Sequence, residues 1–229
     1  SVCTPGPYVD ALVFETTLGD FEVELCSFDA PITVGNLLGY VFSGTYTDTG
    51  FIHRSVPGFV IQGGGFYVDY SGEFPEAPPV ETHAPIPLEL VGLSTLRGTL
   101  AMARTSVLAS ATSQWFVNLS DANVFLDTQN GGYAVFGEVV AGMETVDLIA
   151  DQGVWNFASP FNALPLIDYP GFPVSPLDYF ITVSDIRYVP VPSAVLLLVL
   201  GGLALAALLA RKRLVGGEGH DFALAFNRD

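Results

Sequence analysis

The stretch FIHRSVPGFVIQGGG, residues 51–65, places one cation, Arg54, among apolar residues and ends in three glycines. Basic residues are rare in this chain, because the first 210 residues contain four arginines and no lysine against 21 acidic residues. An isolated arginine is most often half of a surface ion pair, so its position inside an apolar run needs a specific explanation. The glycines are not followed by G-K-[ST] and therefore do not form a phosphate-binding loop. They favour a tight backbone turn.

The composition suits one globular domain with an appendage. The chain has 229 residues, half of them hydrophobic, and its 17 phenylalanines can fill a sizeable core. The formal net charge is −16. A body this acidic repels the phosphates of nucleic acids, so we expect no nucleic-acid partner. The acidic residues are otherwise typical of a solvated surface.

The cysteines and histidines show no metal-binding or redox pattern. Cys3 and Cys26 are not part of a C-x-x-C motif. They could form one disulfide in an exported protein, but the sequence leaves this open because it does not give the distance between the two Cα atoms. The three histidines, His53, His83 and His220, are scattered. We therefore predict no metal site.

Local patterns predict many short strands and two helices. Two β-rich runs, residues 9–16 and 21–25, flank a turn at Gly19-Asp20 and indicate a hairpin. A short helix should follow, with Asp29 as its cap and Pro31 in its first turn. The remaining predicted elements are strands at 50–53, 60–62, 98–103, 114–119, 134–139 and 180–189, a helix at 142–150, and loops at 66–95 and 152–176. This content favours a closed β-barrel over a sandwich.

The C-terminal part differs from everything before it. Residues 193–210 form an uncharged apolar run that a basic cluster, Arg211-Lys212-Arg213, follows. A helix of that length spans about 27 Å, close to the roughly 30 Å hydrocarbon core of a bilayer. A buried core helix is the alternative, but this run has no polar face. We therefore predict a transmembrane helix at 193–210, with the cations on the cytoplasmic side and the preceding domain outside the cytoplasm.

The chain begins at Ser1 and not at Met, so either a signal peptide has been removed or the fragment was trimmed. The pattern of Val-Pro-x-Pro, an apolar helix and a basic cluster at 189–213 resembles PEP-CTERM sorting tails of the VPLPA type. The resemblance implies processing by a membrane exosortase near the proline pair. Such tails usually stop just after the basic cluster, whereas 16 residues follow it here, residues 214–229.

The chemistry of the opening stretch is non-covalent. The sequence has no G-x-S-x-G motif, no cysteine close to a histidine and no carboxylate pair in an apolar frame. It offers one guanidinium, Arg54, two amides, Gln62 and Gln114, and a set of apolar and aromatic side chains. Such a set can bind an apolar ring and donate hydrogen bonds beside it. Phe59 and Phe116, taken singly, would more often be core residues.

Five blocks of sequence together resemble the cyclophilins, which are peptidyl-prolyl cis-trans isomerases, and are most similar to the bacterial, periplasm-type branch. The blocks are FIHRSVPGFVIQGGG (51–65), RGTLAMAR (97–104), SATSQWFVNL (110–119), FLD (125–127) and GYAVFGEVV (132–140). The resemblance covers roughly residues 8–150, with a weaker strand match at 178–188. It implies a closed eight-stranded antiparallel barrel with a capping helix at each end and a groove on the outside of the barrel.

The resemblance also implies roles for individual residues. Arg54 corresponds to the catalytic arginine of the family. The proline pocket corresponds to Phe59, Val60, Phe116 and Leu126, and the peptide-backbone binders to Gln62, Ala103, Arg104 and Gln114. Phe125 stands where a tryptophan is common and Tyr133 where a histidine is common. The tryptophan is associated with tight cyclosporin binding, so drug sensitivity stays open. No cofactor is implied.

We therefore predict an exported, membrane-tethered isomerase that acts on proline-containing polypeptides. Its expected parts are an isomerase domain (1–188), a proline linker (189–192), a membrane helix (193–210) and a basic cluster with a short tail (211–229). Two alternatives stay open: a module that binds proline segments with little turnover, and a passive scaffold on the envelope. The second would not explain why the whole pocket set is present.

Overall fold

The computed structural model describes residues 2–6, 8–73 and 76–192. Its two helices are α1 (Pro31–Phe42) and α2 (Met143–Ala150). Its strands are β1 (Tyr8–Thr16), β2 (Gly19–Leu25), β3 (Gly50–Phe51), β4 (Arg54–Val56), β5 (Val60–Gly63), β6 (Thr99–Met102), β7 (Trp115–Asn118), β8 (Val135–Ala141), β9 (Gly153–Trp155), β10 (Leu164–Leu166) and β11 (Thr182–Pro192). Short 3₁₀ turns cover Asp121–Asp127, Gln129–Gly131 and Leu177–Tyr179.

Nine strands form one curled sheet in the order β3-β11-β1-β2-β8-β6-β7-β5-β4. The strand pairs whose register is described, such as β1 with β2 and β5 with β7, are antiparallel. The first and last strands of this order, β3 and β4, are consecutive in the chain. Between them, the Ile52 amide donates to the Ile181 carbonyl and the His53 amide donates to the Gln62 carbonyl. One segment, residues 50–56, therefore joins both ends of the sheet.

The predicted mainly β, antiparallel architecture with two helices is confirmed, and the strand count differs. We expected a closed barrel of eight strands and find one curled sheet of nine. The segment 50–56 counts twice because it changes partner midway, from β11 to β5.

Alternation along the central strands sorts side chains between two separate clusters. Trp115 and Val117 belong to the main core inside the curled sheet, where Phe14 meets the Trp115 ring edge-on at 4.9 Å. Phe116, between them in β7, belongs to a different cluster on the opposite face. Successive side chains of a strand point to opposite faces. Because the sheet has apolar residues on both faces here, all four residues of β7 are buried.

Both predicted helices and the hairpin are confirmed, but the prediction that Asp29 caps α1 is wrong. The Asp29 carboxylate does not cap the helix; it accepts hydrogen bonds from the Thr4 amide and hydroxyl, each at 2.7 Å. The first amides of α1 instead donate to Glu89, with Thr33 N 2.8 Å and Ile32 N 3.2 Å from its carboxylate oxygens. A negative charge at a helix N-terminus stabilises the unpaired amides and the helix dipole. Here a residue of the 66–95 segment supplies it.

We predicted a loop at 152–176, and this is wrong in part, because the segment contains the two-stranded sheet of β9 and β10. Leu164 and Leu166 of β10 pack with Phe51, Tyr169 and Phe180 in a small cluster of their own. The alternation of apolar residues is too short to indicate strands in the sequence. Burial against Phe51 and Phe180 organises them.

Residues 1–191 form one compact unit, and its last strand is longer than predicted. We expected the strand to end before Pro190, whereas β11 runs to Pro192. Pro190 and Pro192 lie at the end of this strand, beyond its pairing with β3 at Thr182 and Val183. Cys3 and Cys26, left open by the sequence, are joined by a disulfide with a Cα–Cα distance of 4.8 Å.

None of the helices within residues 2–6, 8–73 and 76–192 combines the length and the apolar character that a membrane crossing requires. The predicted membrane helix at 193–210 and the basic tail at 211–229 lie outside the described residues.

Candidate active site

The site is built on a row of directly opposed residues that crosses five strands. Arg54 of β4 lies opposite Gln62 of β5, and Gln62 lies opposite Phe116 of β7. Phe116 lies opposite Ala101 of β6, which lies opposite Val135 of β8. Directly opposed residues share a face of the sheet, with their Cβ atoms about 5 Å apart. The pairing therefore brings Arg54, Gln62 and Phe116 together, although 62 positions separate the first from the last.

This face carries an open groove with a cavity of about 230 Å³. Its apolar floor is the cluster that contains Phe116 on the outer face of the sheet. In this cluster Phe116 is 5% exposed and Leu126 is 4% exposed. The complete lining is Arg54, Phe59, Val60, Gln62, Ala103, Arg104, Phe116, Leu126, Gln129, Asn130 and Tyr133. The buried floor can accept a small apolar ring, while polar groups lie around its rim.

Arg54 is the groove's half-buried cation, and its charge is not neutralised. Its guanidinium carbon lies 5.8 Å from the centre of the Phe59 ring. Burial lowers the pKa of Arg54, and the neighbouring Tyr133 opposes that shift. Among the described residues, no side chain forms an ion pair or hydrogen bond with Arg54. By contrast, Arg97 pairs with Asp147 at 2.7 Å. The Arg54 charge is therefore available to a ligand.

A layer of polar residues supports the row from behind. Gln62 Nε2 donates to Gln114 Oε1 at 2.8 Å, which holds the Gln62 amide beside Arg54. His53 is buried, and burial lowers its pKa from 6.5 to about 4. A hydrogen bond with the Gln114 side chain opposes this shift, while the positive charge of Arg54 adds to it. His53 is therefore neutral near pH 7, and Arg54 is the cation of the segment 50–56.

A second polar network, not found from the sequence, fixes the opposite wall. Asn123 Nδ2 donates to the Phe59 carbonyl at 2.7 Å and to Asn118 Oδ1 at 2.8 Å. Asn118 Nδ2 in turn donates to Thr99 Oγ1 at 3.0 Å. The three side chains are almost completely buried. The network ties the turn that carries Phe59 to the 3₁₀ turn that carries Leu126, so two parts of the pocket keep a common position.

The structure gathers most of the predicted site residues at the groove and places two beside it. Gln114 lies one layer behind, bonded to Gln62. Phe125 is 48% exposed and stacks on Phe59, with ring centroids 5.9 Å apart. Both therefore contact residues of the lining. The individual roles of these residues stay predictions.

Arg104 was predicted to bind the peptide backbone, but its guanidinium faces the protein's own chain. Nε donates to the Gly132 carbonyl at 3.0 Å, Nη1 to the Thr105 carbonyl at 2.8 Å and Nη2 to the Asn130 carbonyl at 2.7 Å. Its guanidinium carbon also lies 4.8 Å from the centre of the Tyr133 ring.

Sequence reasoning missed Gln129 and Asn130, which line the groove. The available signal was Asn130-Gly131-Gly132, a typical turn sequence. All three residues have positive φ angles, 53°, 93° and 94°. The turn could have been predicted, but its position beside the pocket depends on how the 3₁₀ turns pack on the sheet.

The three glycines at 63–65 allow close packing. A Cβ atom at Gly63 would lie 2.7 Å from the Trp115 ring, and one at Gly65 would lie 2.8 Å from the Gln114 side chain. Gly64 has a φ of +75° and approaches the Ser113 carbonyl. Side chains here would push β5 away from β7. The glycines therefore keep Gln62 at the distance that its bond to Gln114 requires.

The groove lining contains no nucleophile with an adjacent base. It carries two guanidiniums, and among the described residues that of Arg54 has no bonded partner. Fold and site together define a class of protein with a cation beside an apolar pocket on the outer face of a curled antiparallel sheet, and this pocket can accept a small ring.

The sequence model for "Cyclophilin type peptidyl-prolyl cis-trans isomerase/CLD" matches residues 11–165. Peptidyl-prolyl cis-trans isomerase A of Dickeya dadantii (strain 3937) is 44% identical over 156 residues, which cover 67% of this chain and 77% of that protein. Peptidyl-prolyl cis-trans isomerase of Acinetobacter baylyi (strain ATCC 33305 / BD413 / ADP1) is 47% identical over 139 residues, which cover 60% of this chain and 70% of that protein.

The fold is similar to the crystal structure of a Cryptosporidium parvum cyclophilin type peptidyl-prolyl cis-trans isomerase. The TM-score is 0.56 at 24% sequence identity, and the match covers 80% of this chain and 98% of that one. This likeness concerns the fold. Together with the sequence matches, it leads to one conclusion: the chain belongs to the cyclophilin-type peptidyl-prolyl cis-trans isomerase family.

Proposed function

We propose that this isomerase accelerates rotation about X–Pro bonds by stabilising the twisted imide with Arg54. The partial double bond gives a barrier of about 18–20 kcal/mol, and uncatalysed exchange takes tens to hundreds of seconds. In the twisted state conjugation is lost, and the imide nitrogen gains a lone pair that can accept a hydrogen bond. A fixed guanidinium beside the proline stabilises this state more than the planar one. Arginine suits this role because it stays charged and its fork is rigid.

The observation that carries the proposal is the position of an unneutralised guanidinium beside a buried apolar pocket. Phe59, Phe116 and Leu126 would hold the proline ring, while the carbonyl on its N-terminal side rotates. Gln62 would orient Arg54 or the substrate carbonyl, because its amide is held by Gln114. Ala103, whose amide donates to the Gln114 carbonyl at 2.9 Å, would present its own carbonyl to the peptide backbone.

A proline-isomerisation assay with the full chain tests this function. The reporter is a short peptide with one X–Pro bond, whose cis-to-trans relaxation is followed after a solvent jump. Saturable acceleration that depends on Arg54 supports catalysis. Peptide binding without acceleration would identify the protein as a binding module for proline segments. Neither binding nor acceleration would leave a passive scaffold.

We also propose that the enzyme is exported and tethered to a membrane by residues 193–210, with the isomerase domain on the non-cytoplasmic side. Two observations support this. The apolar run is long enough to span and is followed by three cations. The Cys3–Cys26 disulfide is typical of an oxidising compartment. An exosortase-type enzyme that cuts near the proline pair would then release the domain from this helix or re-anchor it.

Fractionation and protease protection test the tether. The full chain should sediment with membranes, whereas a chain ending at Val191 should remain in the supernatant and retain activity. Protease added to intact cells should reach the isomerase domain, or should do so once an outer membrane has been permeabilised. Digestion that requires lysis of the cytoplasmic membrane would invert the proposed topology. Detection of the 214–229 segment on the mature protein would argue against exosortase processing.

A further inference from the structure

We propose that Arg104 is a positioning residue that holds one wall of the groove, the segment 129–133, in its binding shape. This wall presents Gln129, Asn130 and Tyr133 to the cavity. It is a separate part of the site from the strand row that carries Arg54. The proposal assigns to Arg104 a role different from that of binding the substrate backbone.

The donors of Arg104 are almost fully used within the protein. A guanidinium has five N–H groups. One on Nε and two on Nη2 point at the carbonyls of Gly132 and Asn130, and one on Nη1 points at the Thr105 carbonyl. Within the described part of the chain this leaves one N–H group of Nη1. A residue engaged in this way has little capacity left to bind a substrate backbone.

The wall needs such support because its backbone is unusual. Asn130, Gly131 and Gly132 all have positive φ angles, which cost little for glycine and asparagine. The Gly131 and Gly132 amides donate to the Thr128 and Gln129 carbonyls, and the Asn130 and Gly132 carbonyls accept from Arg104. In this conformation the carbonyls of Asn130 and Gly132 both accept from the same nitrogen, Arg104 Nη2. Two converging carbonyl dipoles repel each other unless a cation lies between them. The planar fork of Arg104 fills that position, which a single ammonium group could not match in geometry.

The same guanidinium also places an aromatic wall of the pocket. It lies 4.8 Å from the centre of the Tyr133 ring, a distance typical of cation–π attraction. Tyr133 in turn meets Phe116 edge-on, with ring centroids 5.7 Å apart. A line of contacts therefore runs from Arg104 through Tyr133 to the pocket floor. Loss of Arg104 should loosen the Tyr133 side of the pocket and leave intact the strand pairing that positions Arg54.

This role predicts a particular kinetic result. The wall contacts substrate in the planar and the twisted state alike, so its loss should remove binding that is equal in both. Arg104→Ala should raise KM for a proline peptide about tenfold, while kcat changes less than about twofold. Arg104→Lys should recover little of the loss, since a lysine cannot serve three carbonyls in one plane. Arg97→Ala is the matched control, because Arg97 belongs to the same RGTLAMAR block but pairs with Asp147 outside the groove.

A double-mutant cycle with Tyr133→Ala tests the route of the effect. If Arg104 acts through the wall, the double variant should have the KM of the worse single variant. If the effects of the two single variants multiply, Arg104 does not act through Tyr133, and the proposed line of contacts to the pocket floor is overturned. A wild-type KM for Arg104→Lys, or a loss confined to kcat, would overturn it as well. If Arg104→Ala does not fold, the cycle is run with Arg104→Lys, which keeps the charge, and the same outcomes decide.

Discussion

The guanidinium of Arg54 lies 5.8 Å from the centre of the Phe59 ring and has no acidic partner among the described residues. The cation and the aromatic ring both line the open groove. In a protein with a net charge of −16, an unpaired arginine indicates a position reserved for a ligand.

Arg54→Ala should reduce kcat/KM about 10- to 100-fold, which corresponds to roughly 1.5–3 kcal/mol of transition-state stabilisation from one charge-assisted hydrogen bond. The affinity for a proline peptide should change much less, because the pocket floor is intact. The assay is isomerisation of an X–Pro peptide, with binding measured separately. Arg187→Ala is the control, since Arg187 pairs with Glu15 at 3.4 Å at the surface. Wild-type turnover in Arg54→Ala would contradict the mechanism.

Phe116→Ala should weaken peptide binding and also lower the stability of the fold. Phe116 lines the groove and is only 5% exposed, so its ring contributes both to the pocket and to the apolar packing beneath it. The free energy of unfolding should fall by about 3 kcal/mol, as for other buried phenylalanines. Phe28→Ala, at a ring that is 71% exposed, should change neither quantity appreciably. If Phe116→Ala loses stability but its folded fraction binds normally, the residue belongs to the core alone.

Glu89→Ala should destabilise the protein although Glu89 lies outside the sheet and the groove. Its carboxylate accepts hydrogen bonds from the amide of Ile32 and from the amide and hydroxyl of Thr33. Without it the N-terminus of α1 has no side-chain cap, because the N-cap residue is Ala30. The expected loss is about 1–2 kcal/mol in the free energy of unfolding. Chemical denaturation measures it, and Glu81→Ala, an exposed acid of the same segment, should show no comparable loss.

Stability should depend on pH through His53. Its pKa is about 4 in the folded protein and 6.5 when exposed, so the unfolded chain binds the proton more tightly. The His53 contribution is therefore complete above pH 6.5 and is lost as the pH falls from 6.5 to about 4. The full difference corresponds to about 3 kcal/mol at 1.36 kcal/mol per pH unit. Carboxylates titrate in the same range, so the measurement is the difference between wild type and His53→Gln. Parallel stability curves for the two proteins would contradict the prediction.

The sequence determined the elements whose cause is local. The hairpin, both helices and the strands around Gln62, Phe116 and Gly137 follow from short-range patterns and turn residues, whereas the strand that carries Arg54 was not predicted. The alternation Trp115-Phe116-Val117 also decided which face each side chain occupies, since neighbours on a strand point in opposite directions. Five blocks of residues were sufficient to predict the family, because their order and spacing are preserved along the chain.

Tertiary structure decided the features that need two distant segments to meet. The cap of α1 is Glu89 and not Asp29, because hydrogen bonding at a helix end requires only a carboxylate nearby in space. β9 and β10 form because burial against Phe51 and Phe180 stabilises strands too short to be seen as a pattern. The Arg104 guanidinium donates to the carbonyls of Asn130 and Gly132 because the turn of positive-φ residues brings both carbonyls within its reach. A side chain's type limits what it can bind; only the packed fold determines which partner lies within hydrogen-bonding distance.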